Sequence, residues 1–310
     1  MRCLVTGATG FVGAHLARLL VERGADVAIL SRATSDTWRI SDTLSRIRVI
    51  PGDLPNIKNA GSQISDFRPD VVFHLGWYGV ASRFRDDPKQ ITQNVSGSLE
   101  LLQLAAAAGS KRWIGLGSQA EYGPHEGLLT EGVPTRPVTT YGVAKLCVSL
   151  LSERLCAAYD IEFCWLRLLA VYGPMDDPTH FIPQLILKLL ATERPALSSG
   201  DQRWDYLYVD DAAQALWRAA NQPRCTGAFI LGSGQAHNVR RIAEKVRELV
   251  DPALPLGFGE VPYRSDQPMH LQADISAFQA VTGWTPGTPL DNGLKSTVSW
   301  FKDNQSRYMR

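Results

Sequence analysis

The chain has 310 residues, 45% of them apolar and 20% charged, with a formal net charge of +1. That near-neutral balance lacks the basic excess that nucleic acid or an anionic membrane surface attracts, and the length suits one large or two modest domains with ample core. No apolar run approaches the roughly 20 residues needed to span a bilayer, and Cys3-Leu4-Val5 belongs to a strand rather than a signal region, so a cytoplasmic protein is expected.

An apolar run at 2–6, a turn carrying Gly7, Gly10 and Gly13, and an apolar-periodic segment from Ala14 read as strand, tight loop and helix. Gly7 would permit the turn, Gly10 would let backbone N–H groups reach a pyrophosphate, and Gly13 would bring the helix close to the strand. The helix N-terminus adds orphan donors and a partial positive charge. A glycine turn without a ligand is the plain alternative, but Gly24 ends the helix before a second strand at 26–30, and that context favours a dinucleotide held by Gly7, Thr9, Gly10, Phe11, Val12 and Gly13. Ser31-Arg32 then stand where such a fold meets the adenosine ribose. An arginine there can pair with a 2′-phosphate, so NADP(H) is favoured, while NAD(H) stays open because a surface arginine looks the same.

A third strand is expected at 47–50, with Asp53 after it either accepting from adenine or forming a turn. Residues 70–76 read as a fourth strand buried on both faces, with His74 a core histidine, Gly76 a point of close approach, and Trp77-Tyr78 opening an active-site loop. A long helix at 91–108 should bury Val95, Leu99, Leu102 and Ala106 and stop at Gly109. A fifth strand at 113–118 delivers Ser118 to the carboxyl edge of a doubly wound parallel sheet, where ligands gather.

Tyr141 and Lys145, four apart in a helix-like stretch at 141–155, share one face. A phenol is a poor base at neutral pH, and a neighbouring ammonium is expected to stabilise its phenolate and lower its pKa. Further helices are expected at 184–190, 212–220 and 239–250, then a proline-punctuated loop before Asp274, a packing helix around 298–301, and a frayed end at 304–310. The five cysteines, Cys3, Cys147, Cys156, Cys164 and Cys225, are scattered and unpaired in sequence. They fit buried thiols better than a disulfide framework or a metal site.

Taken together, Gly7 to Gly13, Asp53-Leu54, His74-Leu75-Gly76, Asn94-Val95, Ser118 ahead of Tyr122-Gly123, Tyr141 with Lys145, Arg167 with Val171-Tyr172-Gly173-Pro174, Tyr208-Val209-Asp210-Asp211 and Gly283-Trp284-Thr285-Pro286 carry a resemblance. The chain resembles the extended short-chain dehydrogenase/reductase superfamily, in particular its NAD(P)-dependent nucleotide-sugar epimerases, dehydratases and reductases, over essentially its whole length. The resemblance implies an α/β fold: a Rossmann-type doubly wound parallel sheet, mainly 1–172, and a smaller C-terminal α/β substrate lobe, mainly 173–310, with 205–235 crossing back. It also implies a catalytic Ser118, Tyr141 and Lys145, cofactor contacts from Leu54, Leu75, Gly76, Trp77 and Asn94, a nucleotide-diphosphate sugar as partner, and a homodimer built on 91–108 and 141–158.

The departures narrow the chemistry. Where the family's dehydratases carry an acidic pair after the serine, this chain has Gln119 and Ala120, with Glu121 one residue later. Ala170 replaces a common asparagine, and Arg203 precedes the position, here Trp204, where relatives place a diphosphate-binding arginine. Arg264 matches a second such arginine better, and a guanidinium suits that task through its paired donors. Tyr78, Gln119, His180, Phe181, Arg203 and Arg264 are the candidate substrate contacts. The expected activity is NADP(H)-dependent reduction of a nucleotide-linked 4-keto-6-deoxyhexose. A 4-epimerase with tightly bound NAD is the alternative, and a non-catalytic dinucleotide-binding regulatory protein is the alternative of another class.

Overall fold

The computed structural model describes residues 1–263 and 267–308. Strand β1 (Arg2–Thr6) leads through the glycine turn into α1 (Phe11–Glu22), and β2 (Asp26–Ser31) and β3 (Arg48–Pro51) follow. Next come α2 (Gly61–Phe67), β4 (Val71–His74), α3 (Ser96–Ala107), β5 (Arg112–Ser118), the short β6 (Gly127–Leu129) and α4 (Thr140–Ala158). The chain continues through β7 (Glu162–Leu168), β8 (Ala170–Tyr172), α5 (Phe181–Leu190), β9 (Arg203–Tyr208), α6 (Val209–Asn221) and β10 (Gly227–Leu231). It ends with β11 (Ala236–Asn238), α7 (Val239–Val250), β12 (His270–Ala273), α8 (Ser276–Thr282) and α9 (Leu290–Asp303).

Seven strands form one sheet in the order β10-β7-β5-β4-β1-β2-β3, and every pairing in it is parallel. The order reverses at β1, so the glycine turn and the start of α1 open at the switch point, beyond the strands' carboxyl ends. One face is covered by α1 and α6, whose Leu16, Leu20, Ala212 and Leu216 are fully buried. The other face carries Leu101, Leu102, Ala105, Val148 and Cys156 from α3 and α4 against Trp113 and Trp165. A second sheet, β11-β9-β12-β6, with β8 pairing β9, sits over α5, α7 and α9 and their own core of Leu185, Ile186, Ile242, Val246, Leu294 and Phe301. Segment 209–231 returns from β9 to the large sheet as α6 and β10. No helix among the described residues is long and apolar enough to cross a membrane.

Several local expectations are corrected. The helix expected at 91–108 opens with a π turn at Ile91–Val95 before α3 begins. The wide turn admits one extra residue and rotates the following face, so the buried stripe is Ser98, Leu101, Leu102 and Ala105 rather than one through Leu99. The proline-rich stretch before Asp274 ends in a strand, β12, because its backbone pairs with β6 and β9. The end of the chain is not frayed as far as Tyr308. That ring packs 5.0 Å from Phe301 and 5.9 Å from Trp300, and its hydroxyl donates to the Asp176 carbonyl at 3.1 Å. Met309 and Arg310 lie outside the described residues. Cys3, Cys156, Cys164 and Cys225 are buried and, with the half-buried Cys147, unbridged.

Trp165 shows how sequence shapes this sheet. Its indole packs against β5, where Gly115 and Gly117 face it, and a Cβ on either glycine would overlap atoms of the ring. Gly115→Ala therefore forces overpacking of a core aromatic. The expected loss is about 1–3 kcal/mol of stability, read as a lower urea midpoint with an unchanged m-value.

Candidate active site

The glycine turn is shaped by backbone contact. Gly7 adopts a φ of +72°, and a Cβ there would stand 2.7 Å from the Gly76 nitrogen at the end of β4. A Cβ on Gly13 would overlap the Gly7 carbonyl, so α1 can approach β1 only with glycine at that position. Gly10 caps α1 without any side-chain acceptor, which leaves the N–H groups of Phe11, Val12 and Gly13 unspent at the positive end of the helix dipole. An uncapped cradle too narrow for side chains fits the diphosphate of a dinucleotide. Thr9 is half-buried on this turn, and the Phe11 ring stands edge-on to His15 at 5.8 Å. Ser31 is buried at the end of β2, and Arg32 is exposed immediately beyond it. Asp53 caps the turn at Leu54–Ala60, accepting from the Asn56 backbone at 3.2 Å, and Leu54 is buried in the core.

Behind the turn runs a polar thread. The Gly76 N–H donates to Thr6 Oγ1 at 2.9 Å, Thr6 Oγ1 meets His74 Nδ1 at 3.0 Å, and His74 Nε2 meets Ser98 Oγ at 2.8 Å. Ser98 in turn donates to the Asn94 carbonyl at 2.6 Å. Since Ser98 spends its proton on that carbonyl, His74 must donate from Nε2 and accept at Nδ1. Burial, aided by the charge of Lys145, pushes the His74 pKa down to about 3, in keeping with that neutral tautomer.

The loop after β4 is clamped from inside. Asn94 accepts from the Tyr78 N–H at 2.7 Å and donates to the carbonyls of Gln90 at 3.0 Å and Tyr78 at 3.2 Å, so its buried amide is spent on the protein. Gln90, which the sequence reading did not single out, is fully buried, accepts from the Trp77 indole at 2.8 Å and donates to the Gly79 carbonyl at 2.7 Å. An amide one turn before Asn94 was the only signal available. Tyr78 donates its hydroxyl to Asp87 at 2.8 Å.

Ser118, Tyr141 and Lys145 converge. Ser118 ends β5, its Oγ accepts from the Ala120 N–H at 3.2 Å, and its hydroxyl faces the Tyr141 phenol. Thr139 caps α4 by accepting from the Gly142 N–H at 3.1 Å, which presents Tyr141 and Lys145 from the first two turns with both side chains buried. Lys145 Nζ donates to the Leu116 carbonyl at 2.6 Å and lies 3.8 Å from the centre of the Trp77 ring. Leu75 packs half-buried beneath this loop against the core.

The electrostatics correct one expectation. Burial pushes the Tyr141 phenol above its usual range, opposed by the Ser118 hydroxyl and the positive charge of Arg85. Lys145 instead points its ammonium at a carbonyl and an indole face, so the cation acting on the phenol is Arg85, whose guanidinium lies 5.7 Å from the Tyr141 ring. A cation–π contact is worth about 0.5–2 kcal/mol, less than the several kcal/mol that burying an ion costs. Accordingly burial holds the Lys145 pKa down to about 7.

Beside the triad, Gln119 has a buried side-chain oxygen with no partner among the described residues, an acceptor available to a ligand's donor. Glu121 is completely buried and turned inward, accepting from the Ser118 N–H at 2.9 Å and from Arg167 at 2.8 Å. His180 begins α5 half-exposed, and its hydrogen bond to Asp176 at 2.7 Å holds its imidazole above the usual pKa. Phe181 follows it, half-buried. Arg203 is exposed on β9, bonds the Ala236 carbonyl at 3.3 Å, and shares no hydrogen bond with the triad. Arg264 lies outside the described residues.

Comparison with known proteins accords with this geometry. A dTDP-glucose 4,6-dehydratase of Mycolicibacterium smegmatis is 26% identical over 99% of this chain and 95% of its own length, and a UDP-glucose 4-epimerase of the same organism is 27% identical over 98% and 99%. Among solved structures, the UDP-glucose 4-epimerase of Thermus thermophilus in complex with NAD superposes with a TM-score of 0.86 at 25% identity, covering 97% of this chain and 99% of that one. A UDP-glucuronic acid 4-epimerase variant from Bacillus cereus, bound to NAD and a UDP-4-deoxy-4-fluoro-glucuronic acid, gives 0.86 at 25% identity over 98% and 100%. Residues 3–232 match the sequence model of one family, and with the glycine cradle, the parallel sheet and the Ser118–Tyr141–Lys145 cluster in place the chain belongs to the NAD dependent epimerase/dehydratase family.

Proposed function

We propose that the protein is an NADP(H)-dependent reductase of a nucleotide-diphosphate-linked 4-keto-6-deoxyhexose. The observation that carries this reading is what surrounds Ser118: Gln119 and Ala120 bear no carboxyl, and the carboxylate of Glu121 is sequestered by Arg167 and the Ser118 backbone. Among the described residues no acid–base pair is left free beside the serine for dehydration, whereas carbonyl reduction needs only a proton donor and a positioned oxygen. The bound cofactor supplies hydride. Tyr141, kept protonated by burial, gives its proton to the C4 oxygen, Ser118 holds that oxygen, and Lys145 binds the nicotinamide ribose. The cradle from Gly7 to Gly13 takes the diphosphate of the cofactor, and Arg32, exposed past β2, takes a 2′-phosphate. The sugar nucleotide lies against Tyr78, Gln119, His180 and Phe181, with Arg203 toward its diphosphate.

A second reading, 4-epimerisation on retained NAD, is supported by the activities of the relatives. It would use the same Ser118, Tyr141 and Lys145. We also propose a cytoplasmic homodimer. The support is the outward face of α4, where Val143, Leu150 and Leu151 are 45%, 53% and 40% exposed, with Ile91 nearby in sequence to α3 at 43%.

Incubated with nucleotide-linked 4-keto-6-deoxyhexoses, the protein should consume NADPH stoichiometrically. Interconversion of 4-epimers with no net absorbance change would favour the second reading. Tyr141→Phe should cut turnover by about 10² or more while cofactor binding, read by fluorescence, persists. The low Lys145 pKa has its own consequence. Between about 7 and the 10.5 of an ordinary lysine the unfolded chain holds a proton that the native state does not, so this site adds stability as pH rises across that window and penalises folding below it. Lys145→Met should raise the urea midpoint more below pH about 7 than above it, and still lose turnover.

A further inference from the structure

Glu121 is a buried acid that the proposed chemistry leaves without a task. It is fully excluded from solvent, yet both carboxylate oxygens are spoken for. Oε1 accepts from the Ser118 N–H at 2.9 Å and from the Trp165 indole N–H at 3.0 Å, and Oε2 accepts from Arg167 Nε at 2.8 Å. Arg167 also donates to the Tyr122 hydroxyl at 3.0 Å, with its guanidinium 4.9 Å from that ring. A carboxylate costs several kcal/mol to bury, and breaking such a pair costs more than its net worth. A neutral side chain could close this turn more cheaply, so the charge calls for a use.

Its surroundings supply one. Glu121 stands at the third position of the turn that Ser118 caps, so the serine backbone is fixed by Oε1 while Ser118 Oγ is fixed by the Ala120 N–H. Trp165, held by the same oxygen, lies with its ring 6.0 Å from Lys145 Nζ. Gly117 leaves the room for this: a Cβ there would stand 2.5 Å from Glu121 Oε1. We propose that Glu121 is the positioning residue of this site, its buried carboxylate aligning the Ser118 hydroxyl with the Tyr141 phenol and holding negative charge behind the Tyr141–Lys145 pair.

The role rests on the reductase reading for its catalytic meaning, but not for its electrostatics. Among the described residues, the other ionisable groups around the pair are Arg85 and Asp86 from the loop before α3, neutral His74 on β4, and Arg167 and Tyr122 beside Glu121 itself. Of these, Arg85 favours the phenolate, whereas Glu121 raises the pKa of both Tyr141 and Lys145. The carboxylate thus adds to burial in favouring the protonated phenol and opposes burial in favouring the lysine ammonium, the two states that carbonyl reduction uses. It touches neither substrate nor cofactor.

The test compares wild type, Glu121→Gln, and Glu121→Gln combined with Arg167→Met, the last removing the stranded cation should the single variant fold poorly. The amide oxygen of glutamine can still accept from Ser118, so charge is lost with little change of shape. Titration of the phenol is followed as the ultraviolet phenolate signal absent from the matching Tyr141→Phe protein. It should move down by about one pH unit in Glu121→Gln, as expected for a unit charge at an effective dielectric near 20, and by less in the double variant, where loss of the paired Arg167 cation offsets the change. The alkaline limb of kcat/KM for reduction should move down with it, while fluorescence-read cofactor affinity is unchanged. Superimposable phenol titrations in all three proteins, or a uniform loss of kcat with the limb in place, would overturn the assignment. A wild type that consumes no reduced cofactor would sink the reductase reading instead, and the phenol titration would still decide the role of Glu121.

Discussion

The contact on which the rest of this structure depends is backbone against backbone, where the turn after β1 meets the end of β4. Gly7 approaches the Gly76 backbone so closely that Gly7 has no room for a side chain, a Cβ on Gly76 would crowd Thr6 at 3.0 Å, and Gly13 repeats the restriction between the turn and α1. Such proximity would be costly if the polar groups it buries went unpaired. They do not, because Thr6, His74 and Ser98 pass hydrogen bonds in a line from the Gly76 N–H to the Asn94 carbonyl. One end of that line is the cofactor cradle, and the other is the π turn at the head of α3. The clamp on the 77–90 loop is therefore anchored in the same buried thread as the glycine turn.

Charge inside the site follows from burial more than from pairing. Tyr141 and Lys145 both shift toward their neutral forms because water is excluded from them. Neighbouring groups then adjust that shift: Ser118 and Arg85 lower it for the phenol, and Glu121 opposes it for the ammonium. Four residues apart on a helix guarantees a shared face, not a shared direction. The lysine amine is long enough to be drawn to an indole and a carbonyl instead of the phenol.

Large aromatic side chains organise the surroundings through specific partners. Trp165 needs Gly115 and Gly117 to pack against β5, and its N–H needs Glu121. Trp77 needs Gln90 to hold its indole over Lys145. At the far side Trp38 stacks on Trp300 at 6.0 Å and meets Tyr308 edge-on, tying the segment after β2 to the end of the chain. Those pairings join residues more than two hundred positions apart, and they keep the last helix ordered where a polar tail would suggest fraying.

The sequence by itself determined the parallel sheet, the glycine turn and the shared face of Tyr141 and Lys145, because each rests on short-range periodicity or on spacing within one strand–turn–helix unit, whereas the expectation that Ser118 joins them came from the resemblance. It determined His74 as a core residue as well, since an imidazole inside an apolar strand has few other fates. Only the tertiary structure decided the second sheet, whose short strands β6, β8, β11 and β12 carry too few residues to print a period and exist through partners distant in sequence. Only it decided the inward turn of Glu121, the spent amide of Asn94 and the role of Gln90, for hydrogen-bond partners are chosen by proximity in space. The sequence records which groups can donate or accept, and folding selects which of them meet.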